Sequence, residues 1–165
     1  MRIPTLLLLL AAACRREAPS PPAEVPQAVA PAQAATTPEE LTYAADLKVD
    51  IPAMRKLPSG MLLQDLAAGQ GDSAVAGMTA VVRYTGWLPD GTKFDGNQDG
   101  EPYSFRLGTG SVIQGWDLGL VGMKAGGKRK LVIPASLGYG AEGSGPIPPN
   151  SFMVFDVELL EIRKQ

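Results

Sequence analysis

The sequence predicts an α+β domain in which about five antiparallel strands cover one short helix. Two observations predict it. Stretches of alternating apolar and polar residues recur between Met61 and Leu159, separated by Gly, Pro and Asp. That is the period of half-buried strands and the chemistry of turns. One segment, Val112 to Leu120, departs from the alternation and repeats its apolar residues near helical spacing. Strands layered over a helix bury both apolar surfaces at once.

The strands follow in order. Met61 to Leu66 gives the first. Val82, Tyr84, Gly86 and Leu88 share one face of the second, and Val81, Arg83, Thr85 and Trp87 the other. Leu88-Pro89-Asp90-Gly91 is a turn, because Pro fixes its second position and Gly accepts a positive φ. Tyr103, Phe105 and Leu107 alternate with Ser104 and Arg106. Leu131 and Ile133 belong to the next strand. The last sends Met153, Phe155, Val157 and Leu159 inward and Asp156 and Glu158 outward. In the helix, Val112, Ile113, Trp116 and Leu120 form the stripe that meets the sheet. Gly115 and Gly119 weaken an isolated helix by ~1 kcal/mol each relative to Ala, so this one depends on packing.

Composition removes several kinds of function. The 165 residues allow one ordinary domain plus appendages, and the net charge is −2. No basic stripe is present, so a nucleic-acid partner is not expected. The cluster Lys128-Arg129-Lys130 reads as a solvated strand face. With no His and one Cys, one chain can form neither a thiolate–imidazole pair, nor a Cys–His zinc site, nor an internal disulfide. No metal or cofactor is called for.

The N-terminal part has a different character. Residues 1–13 carry Arg2, five leucines and Ala11-Ala12-Ala13, followed by Cys14. This is the pattern of a secretory signal peptide. Its apolar run is well short of the ~20 residues that span a bilayer. The small residues ending in Cys14 resemble the lipobox of bacterial lipoproteins, although Ala11 stands where that family usually has Leu. The resemblance implies cleavage before Cys14, a lipid anchor on its thiol and acylation of the new amine. Arg15 in place of Asp tips it toward the outer membrane, facing the periplasm. The plainer reading is a cleaved signal peptide with an incidental Cys. Residues 14–40 then run through Pro, Ala and Gln with no aromatic residue. Such a segment builds no core and serves as an extended tether, with a reach of roughly 80 Å at ~3.1 Å per residue. Residues 41–58 form a short arm. A helix can open at Pro38-Glu39-Glu40 with Thr37 as its cap and run through Leu47. The arm either supports the domain or mediates pairing.

Of the ten aromatic residues, nine lie between Tyr84 and Phe155. They sit within VRYTGWLPDGTKFDG (82–96), SVIQGWDLGL (111–120), LGYGAEG (137–143) and MVFDVELLEI (153–162). In order and spacing these phrases resemble the FK506-binding-protein family of peptidyl-prolyl cis–trans isomerases, from about Ser59 to the C-terminus (59–165). The resemblance implies a strongly twisted sheet wrapped around the helix. It also implies turnover of X–Pro bonds in proline-containing polypeptides, and FK506-like macrolides as inhibitors. Carried over by position, Tyr84, Phe94, Asp95, Trp116, Tyr139 and Phe155 form the active site. Tyr103, Val112, Ile113 and Ile147 complete the substrate pocket, with Ile147 closing it from a loop. Trp116 is the floor, and the Ile113 N–H and the Tyr139 hydroxyl are donors. The loop Gly143 to Ile147 is about one residue shorter than in small members of the family.

Each of these residues also has a plain structural role open to it. Trp116 on an apolar helix face serves a core, Tyr84, Phe94 and Phe155 serve sheet packing, and Asp95 serves as a turn cap. A prolyl-binding chaperone and an envelope scaffold lipoprotein are the competing functions. The arm bears too little likeness to the family's dimerising extensions to imply a homodimer.

Overall fold

The alternating stretches become strands of one antiparallel sheet in the computed structural model, which describes residues 37–164. The expected signal peptide, Cys14 and most of the tether lie outside the described residues. In chain order the strands are β1 (Arg55–Lys56), β2 (Leu62–Ala67), β3 (Thr79–Trp87), β4 (Lys93–Gly96), β5 (Tyr103–Arg106), β6 (Lys128–Ile133) and β7 (Met153–Arg163), and the helix is α1 (Gln114–Gly119). The count is seven where about five were expected. The additions, β1 and β4, are too short and too exposed to show an apolar alternation.

The order across the sheet is β1-β2-β6-β7-β3-β4, with β5 also paired to β3. Strand β7 is therefore central, with Phe155 opposite Leu131 on one side and Gly86 on the other. A register shift between Val81 and Val82 against β7 marks a bulge, a device that increases local twist.

The helix packs on the inner face through Trp116 and Leu120, which join Met61, Leu63, Leu131 and Ile133 in the main core. The glycine inside it has a steric reason. A Cβ at Gly115 would lie 2.5 Å from the Ile133 side chain, so only glycine lets α1 rest directly on β6. Intrinsic helix propensity yields here to close packing.

The outer face is closed by the arm. Leu47 and Met54 pack with Phe152 against Leu62, Val132 and Val154, and Trp87 lies alongside. The arm supports the sheet, but not as the single helix expected over residues 38–47. It forms three short 3₁₀ turns, Pro38–Glu40, Ala45–Leu47 and Ile51–Ala53. Leu41 is extended after the first and Lys48 is left-handed after the second. A ten-residue helix is marginal alone, and the tertiary bonds win. The Ala44 N–H donates to the Pro89 carbonyl at 2.8 Å, and the Tyr43 hydroxyl donates to the Pro38 carbonyl at 2.8 Å.

With both faces covered, Lys128 of the charged cluster on β6 is solvated as expected and pairs with Glu158 at 3.3 Å, but its two neighbours are not. Arg129 is 5 % exposed and Lys130 3 %. Arg129 donates to Asp65 at 2.6 Å and to the Gly119 carbonyl at 2.7 Å. Lys130 pairs with Asp156, its ammonium 5.9 Å from the centre of the Trp87 ring. These partners come from distant strands, which a local pattern does not reveal. Removing one partner strands the other as a buried charge. Asp156→Ala is expected to destabilise the fold by about 1–3 kcal/mol, less than a wholly buried pair because the Asp156 side is partly solvated. Adding Lys130→Met should recover much of that loss, as urea unfolding of the two variants would show.

Candidate active site

The inner face opens into a pocket of about 410 Å³ where the start of α1 meets β3, β4, β5 and β7. It is lined by Tyr84, Phe94, Asp95, Tyr103, Ser111, Val112, Ile113, Trp116, Tyr139 and Phe155. Trp116 is buried beneath it. The Tyr84 ring centre lies 4.8 Å from that of Trp116 at 82°, and the Phe155 centre 5.5 Å away at 85°. Phe94 meets Phe155 at 5.5 Å and 88°. Edge-to-face contacts of this kind are favourable and hold each ring against the next. The Trp116 indole N–H is buried without a hydrogen-bond partner among the described residues.

The sheet sets the spacing of the walls. Gly86 lies opposite Asp95 on β4 and Phe155 on β7. A Cβ there would fall 2.7 Å from the Phe155 ring and 2.8 Å from that of Phe94. The two rings therefore close over the space a side chain would fill. The Tyr84 hydroxyl donates to Asp95 Oδ2 at 2.8 Å, and the Gly96 N–H donates to Asp95 Oδ1 at 2.8 Å. Both oxygens of this carboxylate are thereby oriented.

Two polar features face the cavity. Ile113 is the N-cap of α1, so its own N–H precedes the intrahelical ladder. Tyr139 follows a 3₁₀ turn at Ala135–Leu137, with its ring on the pocket rim. Burial pushes the phenols of Tyr84 and Tyr139 above the ordinary range, and the Asp95 carboxylate adds to the effect in both. Both hydroxyls remain protonated donors at neutral pH.

Nine of the residues singled out in the sequence thus share one cavity. Ile147 is the exception. It is 6 % exposed within the main core and is not part of the lining. Its N–H and carbonyl both bond to Ser144, at 2.9 and 3.0 Å, which fixes a tight loop with its side chain turned inward. Ser111 lines the pocket and carried no signal in the sequence. Its hydroxyl lies 2.7 Å from that of Thr109, in a stretch of small residues that reads as any turn. Among the described residues no cluster of His, Cys, Asp and Glu could hold a metal ion, and no helix is long and apolar enough to cross a membrane.

Comparison with known proteins identifies this arrangement. Residues 71–160 match the family described as FKBP-type peptidyl-prolyl cis-trans isomerase. The chain belongs to that family. The FKBP-type domain is 52 % identical over 105 residues to an FK506-binding protein of Neisseria meningitidis serogroup B, covering 62 % of this chain and 96 % of the relative. It is 52 % identical over 109 residues to FK506-binding protein 4 of Rhizopus delemar. There the match covers 66 % of this chain but only 28 % of the relative, so it spans under a third of that fungal protein. Among solved structures, FkpA from Escherichia coli aligns with a TM-score of 0.63 at 47 % identity, over 67 % of this chain and 52 % of that one. A peptidyl-prolyl cis-trans isomerase from Pseudomonas syringae aligns with a TM-score of 0.63 at 40 % identity, over 73 % and 87 %. The FKBP-like sheet and helix expected from the sequence are thereby established.

Proposed function

We propose that this chain is a peptidyl-prolyl isomerase that accelerates rotation about X–Pro bonds in exported proteins, without covalent catalysis. The observation that carries this reading is the pocket itself, an aromatic basin over Trp116 with donors on its rim and no nucleophile–base pair. Rotation about the X–Pro bond faces a barrier of ~20 kcal/mol because twisting destroys amide resonance. The twisted carbonyl holds less charge than the planar one and needs less hydration. A basin that takes the Pro ring and excludes water favours that state over the planar amide. Trp116, Phe155, Tyr84 and Phe94 supply the surface. The Ile113 N–H and the Tyr139 hydroxyl orient the flanking carbonyls, and Asp95 holds the Tyr84 hydroxyl in place.

The test is a protease-free isomerisation assay on a proline tetrapeptide, with and without FK506. Turnover abolished by FK506 is expected. Binding without turnover would make the chain a prolyl-binding chaperone instead.

The absence of His leaves no unperturbed side chain to titrate between about pH 6 and 8, so the rate is expected to be flat across that range. At higher pH the raised phenols of Tyr43, Tyr84 and Tyr139 set the behaviour. The folded state keeps protons that the unfolded chain begins to release near the ordinary phenol value of ~10, so stability falls as pH rises beyond it. Melting curves from pH 7 to 11 check the sign. A bell-shaped rate profile between pH 6 and 8 would contradict the mechanism.

The same reading places the protein in a bacterial envelope, held by a lipid on Cys14 and facing the periplasm. The support is the sequence pattern of residues 1–14. Cys14→Ala is expected to release the protein from the membrane fraction. An unmodified mature N-terminus in mass spectrometry would rule the anchor out.

A further inference from the structure

One edge of β3 carries two strands in succession. Strand β4 pairs with it from Thr85 to Trp87, and β5 from Thr79 to Val82. Between them the chain leaves the sheet, and Tyr84 falls in the gap. Asn97 fills it. The Asn97 N–H donates to the Tyr84 carbonyl at 3.0 Å, while its own carbonyl accepts from Gly100 at 3.1 Å and turns the chain away. The side chain then takes the place of the departed peptide group. Its Oδ1 accepts the Tyr84 N–H at 2.8 Å, and its Nδ2 donates to the Val82 carbonyl at 3.3 Å and the Glu101 carbonyl at 3.0 Å. A carboxamide has the donor and acceptor of a peptide group, and in Asn it stands close to the main chain.

Three pocket walls depend on this junction. Tyr84 is bonded to Asn97 directly. Asp95 stands two residues before Asn97, with the Tyr84 hydroxyl bonded to it. Tyr103 stands two residues after Glu101, its ring centre 6.4 Å from that of Tyr84.

We propose that Asn97 is a positioning residue for isomerisation, whose carboxamide joins β4 to β5 across the edge of β3 and sets the spacing of Tyr84, Asp95 and Tyr103 around the substrate. This rests on the reading of the pocket as the isomerase site. The residue touches no substrate, and it acts through the three walls.

The full-length chain is compared with its Asn97→Ala, Asn97→Asp and Leu47→Ala variants by kcat/KM, FK506 affinity, melting temperature and amide hydrogen exchange at Tyr84. Misplacing catalytic walls by about 1 Å costs up to ~10²-fold. Asn97→Ala is expected to lower kcat/KM by about 10- to 100-fold, to weaken FK506 comparably and to expose the Tyr84 amide to exchange. Leu47→Ala destabilises from the opposite face of the sheet and should leave kcat/KM and FK506 affinity within about twofold. Asn97→Asp keeps the acceptor and loses both donors, so the Tyr84 amide stays protected while kcat/KM still falls.

A folded Asn97→Ala variant with kcat/KM and FK506 affinity within about twofold of the unmodified chain overturns the proposal. An equal loss of kcat/KM in Leu47→Ala overturns it too, since general destabilisation would then suffice. If Asn97→Ala does not fold, Asn97→Asp decides by the same ratios. No turnover in the unmodified chain refutes the isomerase reading instead, and FK506 affinity with Tyr84 exchange still judges Asn97.

Discussion

Trp116→Ala is expected to abolish isomerase turnover and to cost about 3–5 kcal/mol of stability, because one side chain is both the pocket floor and a core contact. Trp116 is 4 % exposed and touches the rings of Tyr84, Tyr103, Phe105 and Phe155. Removing it leaves a cavity that four separately anchored rings cannot all collapse into. Trp116→Leu separates the two effects. It keeps much of the apolar volume and should recover part of the stability without restoring the flat aromatic floor of the pocket. Phe94→Ala is the complement, since Phe94 is only half-buried on a short strand. It should weaken FK506 and substrate together while the fold survives. Isomerase rate, FK506 affinity and melting temperature across the three variants check this. If rate and stability fall in constant proportion throughout, Trp116 is core and nothing more.

Cutting the arm away is the second large effect. A chain starting at Arg55 would expose Leu62, Val132 and Val154, each now 2 % exposed or less. At ~1.5–3 kcal/mol for each side chain the loss is about 5–9 kcal/mol, against a total of ~5–15 for an ordinary domain. The truncated chain is expected to be unfolded or barely folded at 37 °C, whereas a chain starting at Thr37 should melt as the full chain does. Leu47→Ala should take about 2–4 kcal/mol by itself. Urea unfolding compares the three. Equal midpoints for the chains starting at Thr37 and Arg55 would mean that the arm's packing contributes little.

What the sequence made legible depended on how local each signal was. Strands β3 and β7 stood out because alternation sustained over 81–88 and 153–159 is hard to produce otherwise. The aromatic walls stood out because aromatic residues are scarce elsewhere in the chain. Val154 was harder to read. It is buried on the face opposite Phe155 only because Leu47 and Met54 arrive from the arm. The burial of Arg129 and Lys130 has no local signal for the same reason, as their carboxylate partners lie on β2 and β7. The arm was assigned one helix because Pro38, Glu39 and Glu40 carry a start signal, while the bond from Ala44 to Pro89 that redirects it joins residues 45 apart. Ser111 in the pocket lining and Asn97 behind its walls are small polar residues among glycines. Their part comes from which backbone they meet, and no periodicity records that. Ile147 holds the position of a pocket residue in the family pattern, but its loop, bonded through Ser144, buries it in the main core.

The place of β7 in the sheet has a consequence for when the protein becomes competent. It is the strand furthest along the described chain, yet it lies between β6 and β3 and carries Phe155. A ribosome or a translocation pore delivers the chain from its N-terminus. Until β7 emerges, β2 with β6 and β3 with β4 and β5 are two separate fragments, and the basin has no back wall. The nascent chain therefore holds no complete aromatic basin that could capture neighbouring chains, or its own prolines, before β7 is in place. Competence arrives in a single late step, when one strand zips both fragments together.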